Sequence, residues 1–365
     1  MGQAHFTLGI VSNELGETTR ARDHFRKATE LLPQMLDAHW RLGQTLMALQ
    51  ELSEAEKSFQ AIMNIKPRMF KPYTAMGDIS YQQGLYDKAV SYYRKSIELG
   101  NNEYEVHLYL AYAYQKMNRS DEHEKQLVEC LRLYPDDAHV QHLLAIVRGE
   151  NPSTAPAVYV RDIFEGYAEN FDAHLVGKLN YHTPEDLHEL VRERVAAAPG
   201  SLDIIDLGCG TGLCAPHFRA MARTLHGVDL APRMIEKAKQ RTLYDMLEVN
   251  DIVTVLKSKT AAWDLAISTD VFIYVGALEE VFAACATALR PGGFLAFSIE
   301  AGDDSETFVM RKTGRYAHAA RYIRTLSAAT GFDEIESRSV VLRKEGEADM
   351  NGYIFLLRRT AEAPH

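Results

Sequence analysis

The stretch that decides the fold reads Asp206-Leu207-Gly208-Cys209-Gly210-Thr211-Gly212. It follows the apolar run Leu202-Asp203-Ile204-Ile205 and precedes a helix-like stretch from Leu213 to Ala222, so the pattern is a strand, a glycine turn and a helix start. Alternate glycines let the backbone approach a ligand closely, and the first N–H groups of a helix are free to bind a carboxylate or phosphate. The stretch is therefore predicted to bind a cofactor.

A second strand-like stretch, Thr224 to Asp229, follows the glycine turn and ends in an acid. An acid at that place can accept hydrogen bonds from ribose hydroxyl groups. The spacing of the turn differs from the dinucleotide fingerprint, because Leu213 stands where the third glycine would be. The two strand ends therefore predict a nucleoside cofactor other than NAD or FAD.

The glycine turn resembles the first motif of class I S-adenosylmethionine-dependent methyltransferases, and the resemblance continues in the expected order. Later segments are similar to the second motif, the third motif, the fourth strand with its acid, and the turn before the fifth strand. They read Gly227-Val228-Asp229-Leu230-Ala231-Pro232-Arg233-Met234, Asn250-Asp251-Ile252, Trp263-Asp264-Leu265-Ala266-Ile267-Ser268-Thr269-Asp270 and Leu289-Arg290-Pro291-Gly292-Gly293-Phe294-Leu295. The resemblance implies a Rossmann-like α/β domain that binds S-adenosyl-L-methionine.

The same resemblance implies which residues hold the cofactor. Asp206 is expected to support the turn and the amino acid end of S-adenosyl-L-methionine, Asp229 to hold the ribose, and Asp251 to meet the adenine. The implied cofactor-binding residues are Tyr167, Asp206, Gly208, Cys209, Gly210, Gly212, Asp229, Leu230, Met234, Asp251, Ile252 and Thr269.

Aromatic residues share a helix face in the segment before the sheet, at Tyr159, Phe164, Tyr167 and Phe171. Such a stripe is typical of core packing. The segment also resembles the Tyr-Ala-x-x-Phe-Asp lid that many small-molecule methyltransferases place over the cofactor. Both interpretations stay open at the level of sequence.

Methyl transfer from a sulfonium is a direct displacement, so the protein mainly aligns the reacting atoms, and a base is needed only for an acceptor that arrives protonated. Four residues near strand ends are candidates for the acceptor side: Asp270, Tyr274, Glu300 and His318. His318 is expected to open the helix after the fifth strand and to titrate near neutral pH, which suits a general base. The alternative is a histidine that faces water or bonds to a backbone carbonyl.

The first 148 residues repeat with a period of 34. Small residues, aromatic residues and turn residues recur on this grid. They include the sets Gly9, Gly43, Gly77 and Ala111; Phe25, Phe59, Tyr93 and Leu127; and Gly16, Gln50, Gly84 and Asn118. The pattern resembles four tetratricopeptide repeats followed by a capping helix from Asp137 to Val147. The first repeat begins almost at Met1 without a preceding capping segment. We therefore expect either that the chain is trimmed or that this edge of the repeats is buried against something else.

These patterns predict an all-α tetratricopeptide-repeat solenoid at 1–148, a linker at 149–157, and an α/β Rossmann-like class I methyltransferase domain at 158–365. The sheet is expected to be mostly parallel, with a reversed C-terminal strand. Its strands are predicted at 202–207, 224–229, 246–250, 263–269 and 294–300, and a final hairpin joins 334–343 to 352–358 through Lys344-Glu345-Gly346-Glu347.

Composition narrows the possible partners. The formal net charge is −10 and no lysine or arginine cluster interrupts it, so nucleic acid is a disfavoured partner. There is no apolar run long enough for a membrane span and no signal segment, so we expect a cytoplasmic protein without membrane partners. Cys130, Cys209, Cys214 and Cys285 form no C-x-x-C pair, so no metal site or disulfide framework is expected.

The sequence therefore predicts an enzyme that transfers a methyl group from S-adenosyl-L-methionine to an acceptor, a small molecule, with the repeats used for docking or self-association. The whole arrangement resembles bacterial predicted methyltransferases that carry such repeats. One alternative is a protein methyltransferase whose substrate is held by the repeats. A second alternative is a repeat scaffold without catalysis.

Overall fold

The structure, a computed structural model, describes residues 1–346 and 348–360. It divides between Leu144 and Ala145 into two compact units. Each unit has its own hydrophobic core: Phe59 and Ile79 are completely buried in the first, and Phe282 and Phe297 in the second. The boundaries predicted from sequence, at 148 and 158, stay a prediction.

The first unit is a series of helices in which each helix packs against the next. They are α1 (Gly2–Glu14), α2 (Thr18–Leu31), α3 (Leu36–Ala48), α4 (Leu52–Ile65), α5 (Phe70–Gln82), α6 (Tyr86–Glu98), α7 (Tyr104–Lys116) and α8 (Ser120–Leu133), and α9 (Ala138–Arg148) follows them.

The 34-residue period has a packing cause. A Cβ built on Gly43 would lie 2.6 Å from Cζ of Phe59, and one on Gly77 would lie 2.5 Å from Cε1 of Tyr93. The ring of each second helix thus fills the space that the glycine of the first helix leaves open. Gln50 has a left-handed backbone with φ of 61°, as the turn between the two helices requires. The predicted repeat solenoid is confirmed.

The second unit alternates helices and strands. Its helices are α10 (Ala157–Tyr167), α11 (Phe171–Lys178), α12 (Thr183–Arg194), α13 (Ala215–Phe218), α14 (Pro232–Gln240), α15 (Ile252–Lys257), α16 (Glu279–Ala288) and α17 (Ala320–Ala329). Its strands are β1 (Leu202–Leu207), β2 (Ala222–Asp229), β3 (Met246–Val249), β4 (Trp263–Ser268), β5 (Leu289–Ala301), β6 (Phe308–Met310), β7 (Tyr316–His318), β8 (Phe332–Glu345) and β9 (Ala348–Arg359). Among the described residues, no helix is long and apolar enough to cross a membrane.

The strands form one sheet in the order β3-β2-β1-β4-β5-β7-β6, and β9 pairs with both β5 and β8. Strands β1 to β5 pair in parallel, whereas β9 runs antiparallel to β5 and to β8. The predicted Rossmann-like sheet with a reversed C-terminal strand is therefore confirmed. The carboxyl ends of β1, β2 and β4 meet at one edge, which positions the site described below.

Three local predictions are corrected by the structure. The helix predicted from Leu213 to Ala222 is only α13, because Ala222 pairs with Leu202 and so already belongs to β2. The sequence pattern missed β6 and β7, which are three residues each and too short to show a period. Lys344 and Glu345, predicted in the hairpin loop, lie in β8, and Glu347 lies outside the described residues.

The segment predicted as a linker is held against the second unit. The carbonyl of Ser153 accepts a hydrogen bond from Ala277 N–H at 2.7 Å, and Ala155 N–H donates to the carbonyl of Tyr274 at 3.1 Å. Asn151 accepts from Met310 N–H at 2.7 Å. Residues 151–155 are therefore held by β6 and by the segment after β4, through the Ser153 carbonyl, the Ala155 N–H and the Asn151 side chain.

Candidate cofactor and acceptor site

A cavity of about 310 Å³ lies beyond the carboxyl ends of the central strands in the second unit. Its floor is formed by Gly208 and Gly210 after β1, by Asp229 at the end of β2, and by Asp251 and Thr269 after β3 and β4. Cys209, Leu230 and Ile252 also line it. The strand-end residues predicted from the motifs thus face one space, as expected for an open parallel sheet.

Asp229 fixes the glycine turn as well as facing the cavity. Gly210 N–H donates to Asp229 Oδ2 at 2.9 Å, and Ala231 N–H donates to Oδ1 at 2.9 Å. Burial raises the pKa of Asp229, against these stabilising hydrogen bonds. Gly208 has φ of 72°, and a Cβ there would meet Val271 at 2.4 Å. A side chain is therefore excluded where the backbone must approach the ligand.

Three predicted cofactor residues lie behind the cavity rather than in it. Asp206 is buried and accepts a hydrogen bond from the Tyr244 hydroxyl at 2.6 Å; burial raises the pKa of Asp206 to about 7. Gly212 faces the Tyr244 ring, where a Cβ would lie 2.9 Å from Cε2. Met234 is completely buried in a cluster with Ala168 and Ala231. Asp206 and Gly212 therefore support the glycine turn, and Met234 packs on the buried side of α14, outside the cavity lining.

Asp251 begins α15 and caps it. Its Oδ1 accepts from Thr254 N–H at 2.9 Å, which stabilises the helix start beside the cavity.

Cys209 lines the cavity, and burial raises the pKa of its thiol well above the ordinary value. A protonated buried thiol is a poor nucleophile, so the geometry favours a small packing residue at that turn.

The four aromatic residues of the stripe lie in two different environments, one that fits core packing and one that fits a lid. Tyr159 is buried, but Phe164, Tyr167 and Phe171 line the cavity. The Phe164 ring lies 5.9 Å from that of Phe171 and 5.5 Å from that of Tyr274. His174 extends the stripe and also lines the cavity, although the sequence analysis did not single it out. Helices α10 and α11 therefore form an aromatic wall of the cavity.

Ionic contacts hold this wall to the glycine turn and to α14. The Glu165 carboxylate accepts a hydrogen bond from the backbone N–H of Arg233 at 2.9 Å. The Lys237 Nζ lies 2.7 Å from the Glu169 carboxylate. Asp172 binds the hydroxyl of Thr211 and the guanidinium of Arg241.

Two of the four predicted acceptor-side residues line the cavity, Asp270 and Tyr274. Asp270 has a left-handed backbone with φ of 56°, and Arg343 Nη1 donates to its Oδ2 at 2.8 Å. Burial raises the pKa of Asp270, whereas the guanidinium of Arg343 opposes that shift. Burial also raises the pKa of Tyr274 to about 12, so its hydroxyl is a neutral donor at pH 7.

The other two, Glu300 and His318, are completely buried and do not line the cavity. Glu300 is bound by Arg343 and lies 3.4 Å from Arg315 Nη1. Nε2 of His318 faces two carbonyl oxygens, at 2.9 Å from Val275 and 3.0 Å from Gly276.

The prediction that His318 opens a helix is wrong, because the residue lies in β7 and pairs with Ala301 of β5. Burial lowers its pKa to about 4. The geometry therefore favours the alternative in which the histidine bonds to backbone carbonyls.

Tyr181, Arg315 and Arg343 also line the cavity, and no sequence pattern singled them out. Arg343 comes from β8 and reaches the site only through the pairing of β8, β9 and β5. Among the described residues, no group of three or more His, Cys, Asp or Glu side chains is arranged to hold a metal ion.

Two protein-family models match parts of this chain. Residues 205–297 match the methyltransferase domain family, and residues 13–71 and 80–147 match the tetratricopeptide repeat. The chain therefore contains a methyltransferase domain and tetratricopeptide repeats. S-Adenosyl-L-methionine is the cofactor of this domain, and the residues present fit it: Gly210 leaves an open cradle, with Phe171 3.7 Å from where its Cβ would be.

Curated relatives align with the methyltransferase domain over part of their length. A ubiquinone biosynthesis O-methyltransferase of Methylocella silvestris is 29% identical over 110 residues, which cover 29% of this chain and 43% of the relative. A malonyl-[acyl-carrier protein] O-methyltransferase of Serratia marcescens is 31% identical over 123 residues, which cover 33% and 48%. The chain thus spans less than half the length of these two relatives.

A similar solved structure is that of magnesium protoporphyrin IX methyltransferase from Synechocystis with bound S-adenosylmethionine. It is 20% identical with a TM-score of 0.43, and the match covers 56% of this chain and 97% of that one.

Proposed function

We propose that the methyltransferase-domain protein transfers a methyl group from S-adenosyl-L-methionine to a small-molecule acceptor. The observation that carries the proposal is one cavity that joins the glycine turn and the acids Asp229 and Asp251 to an apolar acceptor side. The name of the Methylocella silvestris relative, a ubiquinone biosynthesis O-methyltransferase, supports a small acceptor.

In this proposal the strand-end residues bind the cofactor and the aromatic wall positions the acceptor. Asp229 holds the ribose and Asp251 meets the adenine, while the turn at Gly208 and Gly210 lets the amino acid part of the cofactor approach the backbone. When bound, the cofactor would supply a methyl group on a sulfonium sulfur, and the neutral thioether S-adenosylhomocysteine would be the leaving group. The aromatic wall from Phe164 to Phe171 excludes water and aligns the acceptor.

Asp270 and Tyr274 are the groups placed to meet the acceptor. Both line the cavity beside the carboxyl end of β4. Asp270 is the group that accepts a proton when the acceptor arrives protonated, and the Tyr274 hydroxyl donates a hydrogen bond that orients it. Glu300 supports Arg343 from behind and does not touch the acceptor.

The first test is binding of the cofactor and its product to the full chain. We expect calorimetry to show one site per chain for S-adenosylhomocysteine, and no comparable binding of NAD. Methyl transfer from S-adenosyl-L-methionine labelled on its methyl group is then followed in a metabolite extract, with label expected in the small-molecule fraction. Absence of S-adenosylhomocysteine binding overturns the proposal, and label found only in protein favours the protein methyltransferase.

The repeats are proposed to dock a partner or a second copy. In the first unit, Trp40, Met47, Phe70, Lys71 and Asp78 line a hollow of about 450 Å³. The aromatic side chains of Trp40 and Phe70 suit a protein surface, because large aromatic side chains dominate binding energies at interfaces.

The cofactor site does not need the repeats. All of its lining residues lie between Thr154 and Arg343 in the second unit. We expect a fragment of residues 145–365 to bind S-adenosylhomocysteine within twofold of the full chain, measured by calorimetry. A folded fragment that has lost cofactor affinity contradicts this division of labour.

A further inference from the structure

Two guanidinium groups face the acceptor side of the cavity. Arg315 precedes β7 and Arg343 lies in β8, and both line the cavity together with Asp270 and Tyr274. The chain as a whole carries a formal charge of −10, so this pair is a local feature rather than part of a basic surface. Arg343 is almost completely buried, and a buried guanidinium is retained only where it has partners.

Carboxylates anchor both guanidiniums from behind. Arg343 binds Glu300, and Arg315 binds Glu345 and lies 3.4 Å from Glu300. Neither Glu300 nor Glu345 lines the cavity. The two acids therefore hold the arginines in fixed positions while the cavity itself sees the cations.

Asp270 is the single acid of this cluster that lines the cavity, within the described residues. It is paired with Arg343 at 2.8 Å, and burial raises its pKa. Burial therefore disfavours the ionised form of Asp270. Arg311 also pairs with Glu300 at 3.3 Å, so three arginines balance Asp270, Glu300 and Glu345 in this cluster. A second anion beside Arg315 and Arg343 therefore competes with Asp270, the acid of the three that lines the cavity.

The rest of the acceptor side is apolar or aromatic. Val160, Leu175, Leu179 and Tyr181 line it. Side chains of this kind bury an apolar body, and a few convergent polar groups then fix its orientation. An apolar wall beside two anchored guanidiniums fits a ligand that has an apolar end and an anionic end.

We propose that the acceptor is a small molecule that carries a carboxylate on an apolar, aromatic-sized body, and that Arg315 and Arg343 select the carboxylate. The inference rests on the proposed function, since it names the class of acceptor for the same cavity. A planar carboxylate matches the paired N–H donors of a guanidinium, which a neutral acceptor does not.

The test uses the full chain saturated with S-adenosylhomocysteine and probes of matched shape. Benzoate, phenylacetate and hydrocinnamate are each titrated beside their neutral amides by calorimetry. We expect at least one carboxylate to bind with a Kd below about 1 mM and at least about tenfold more tightly than its amide. Because this comparison uses the wild-type chain, it does not depend on the folding of a variant.

Variants then assign the selectivity. Arg315→Gln is expected to weaken binding of the best carboxylate at least about tenfold and to leave the amide and S-adenosylhomocysteine within twofold, because charge-assisted bonds are lost. Arg315→Lys should recover part of the affinity. Arg324→Gln is the matched control, since that arginine pairs with Glu334 outside the cavity lining and should change nothing.

The outcomes separate the two proposals. Equal binding of carboxylate and amide, or no binding of any probe to the S-adenosylhomocysteine complex, overturns the carboxylate acceptor and leaves the methyltransferase function standing. Loss of carboxylate selectivity in Arg324→Gln also overturns the assignment to Arg315. Failure of the chain to bind S-adenosylhomocysteine at all is a failure of the proposed function itself.

Discussion

Replacing Asp229 with alanine is expected to weaken the binding of S-adenosylhomocysteine by about a hundredfold or more. Under the proposed function the carboxylate accepts two hydrogen bonds from the ribose, and bonds to a charged group contribute about 1.5–3 kcal/mol each. Together they correspond to roughly a hundredfold to ten-thousandfold in Kd. The variant also removes the acceptor of Gly210 N–H, so the glycine turn loses a support at the same time.

Calorimetry on wild type and Asp229→Ala measures this effect. Asp229→Asn keeps the shape and removes the charge, so an intermediate loss is expected. Asp333→Ala is the control, because Asp333 is an exposed acid on β8 outside the cavity lining. Equal affinity in wild type and Asp229→Ala contradicts the assignment of the ribose site, provided that the variant unfolds within a few degrees of wild type.

The cofactor side could be predicted because its residues follow strand ends. A short apolar stretch that ends in an acid or a glycine turn places that residue at the edge of the sheet whatever the rest of the chain does. Asp229, Asp251 and Gly210 therefore lie where the sequence indicates. Asp206 and Gly212 belong to the same motif, yet they face Tyr244, and the alternation of side chains across the turn cannot be read from the motif alone.

The acceptor side could be predicted only in part. Asp270 and Tyr274 lie in the segment that follows β4, so the end of a predicted strand indicates their position as well. Arg315 and Arg343 reach the cavity from the C-terminal part of the chain. Their positions depend on the register in which β9 pairs with β5 and β8 with β9, and no local pattern determines that register.

His318 shows how a local pattern misleads. Its segment, Tyr316-Ala317-His318-Ala319-Ala320, has helix-favouring alanines and runs into α17, which begins at Ala320. Pairing with Glu300–Ala301 of β5 and with β6 nevertheless places Tyr316–His318 in the sheet. Tertiary pairing overrides propensity here, and it turns the imidazole towards the carbonyls of Val275 and Gly276.

The pH dependence of stability distinguishes this structural histidine from a catalytic one. Burial lowers the pKa of His318 from its ordinary value of 6.5 to about 4. Between these two values the unfolded chain binds a proton that the folded chain does not. The stabilisation by neutral His318 is therefore complete above pH 6.5 and is lost as the pH falls towards 4. We expect this loss to reach about 2 kcal/mol between pH 7 and pH 5.

The variant His318→Gln isolates that contribution. Its amide keeps a donor for the two carbonyls but does not titrate, so the free energy of unfolding of wild type, minus that of the variant, should shrink by about 2 kcal/mol from pH 7 to pH 5. Subtracting the variant also removes the contribution of His142, whose pKa burial lowers to about 4. Denaturant unfolding at each pH measures the difference, and calorimetry should find S-adenosylhomocysteine affinity unchanged. A difference that stays constant with pH, together with a large loss of methyl transfer at unchanged stability, would return His318 to the acceptor side as a base.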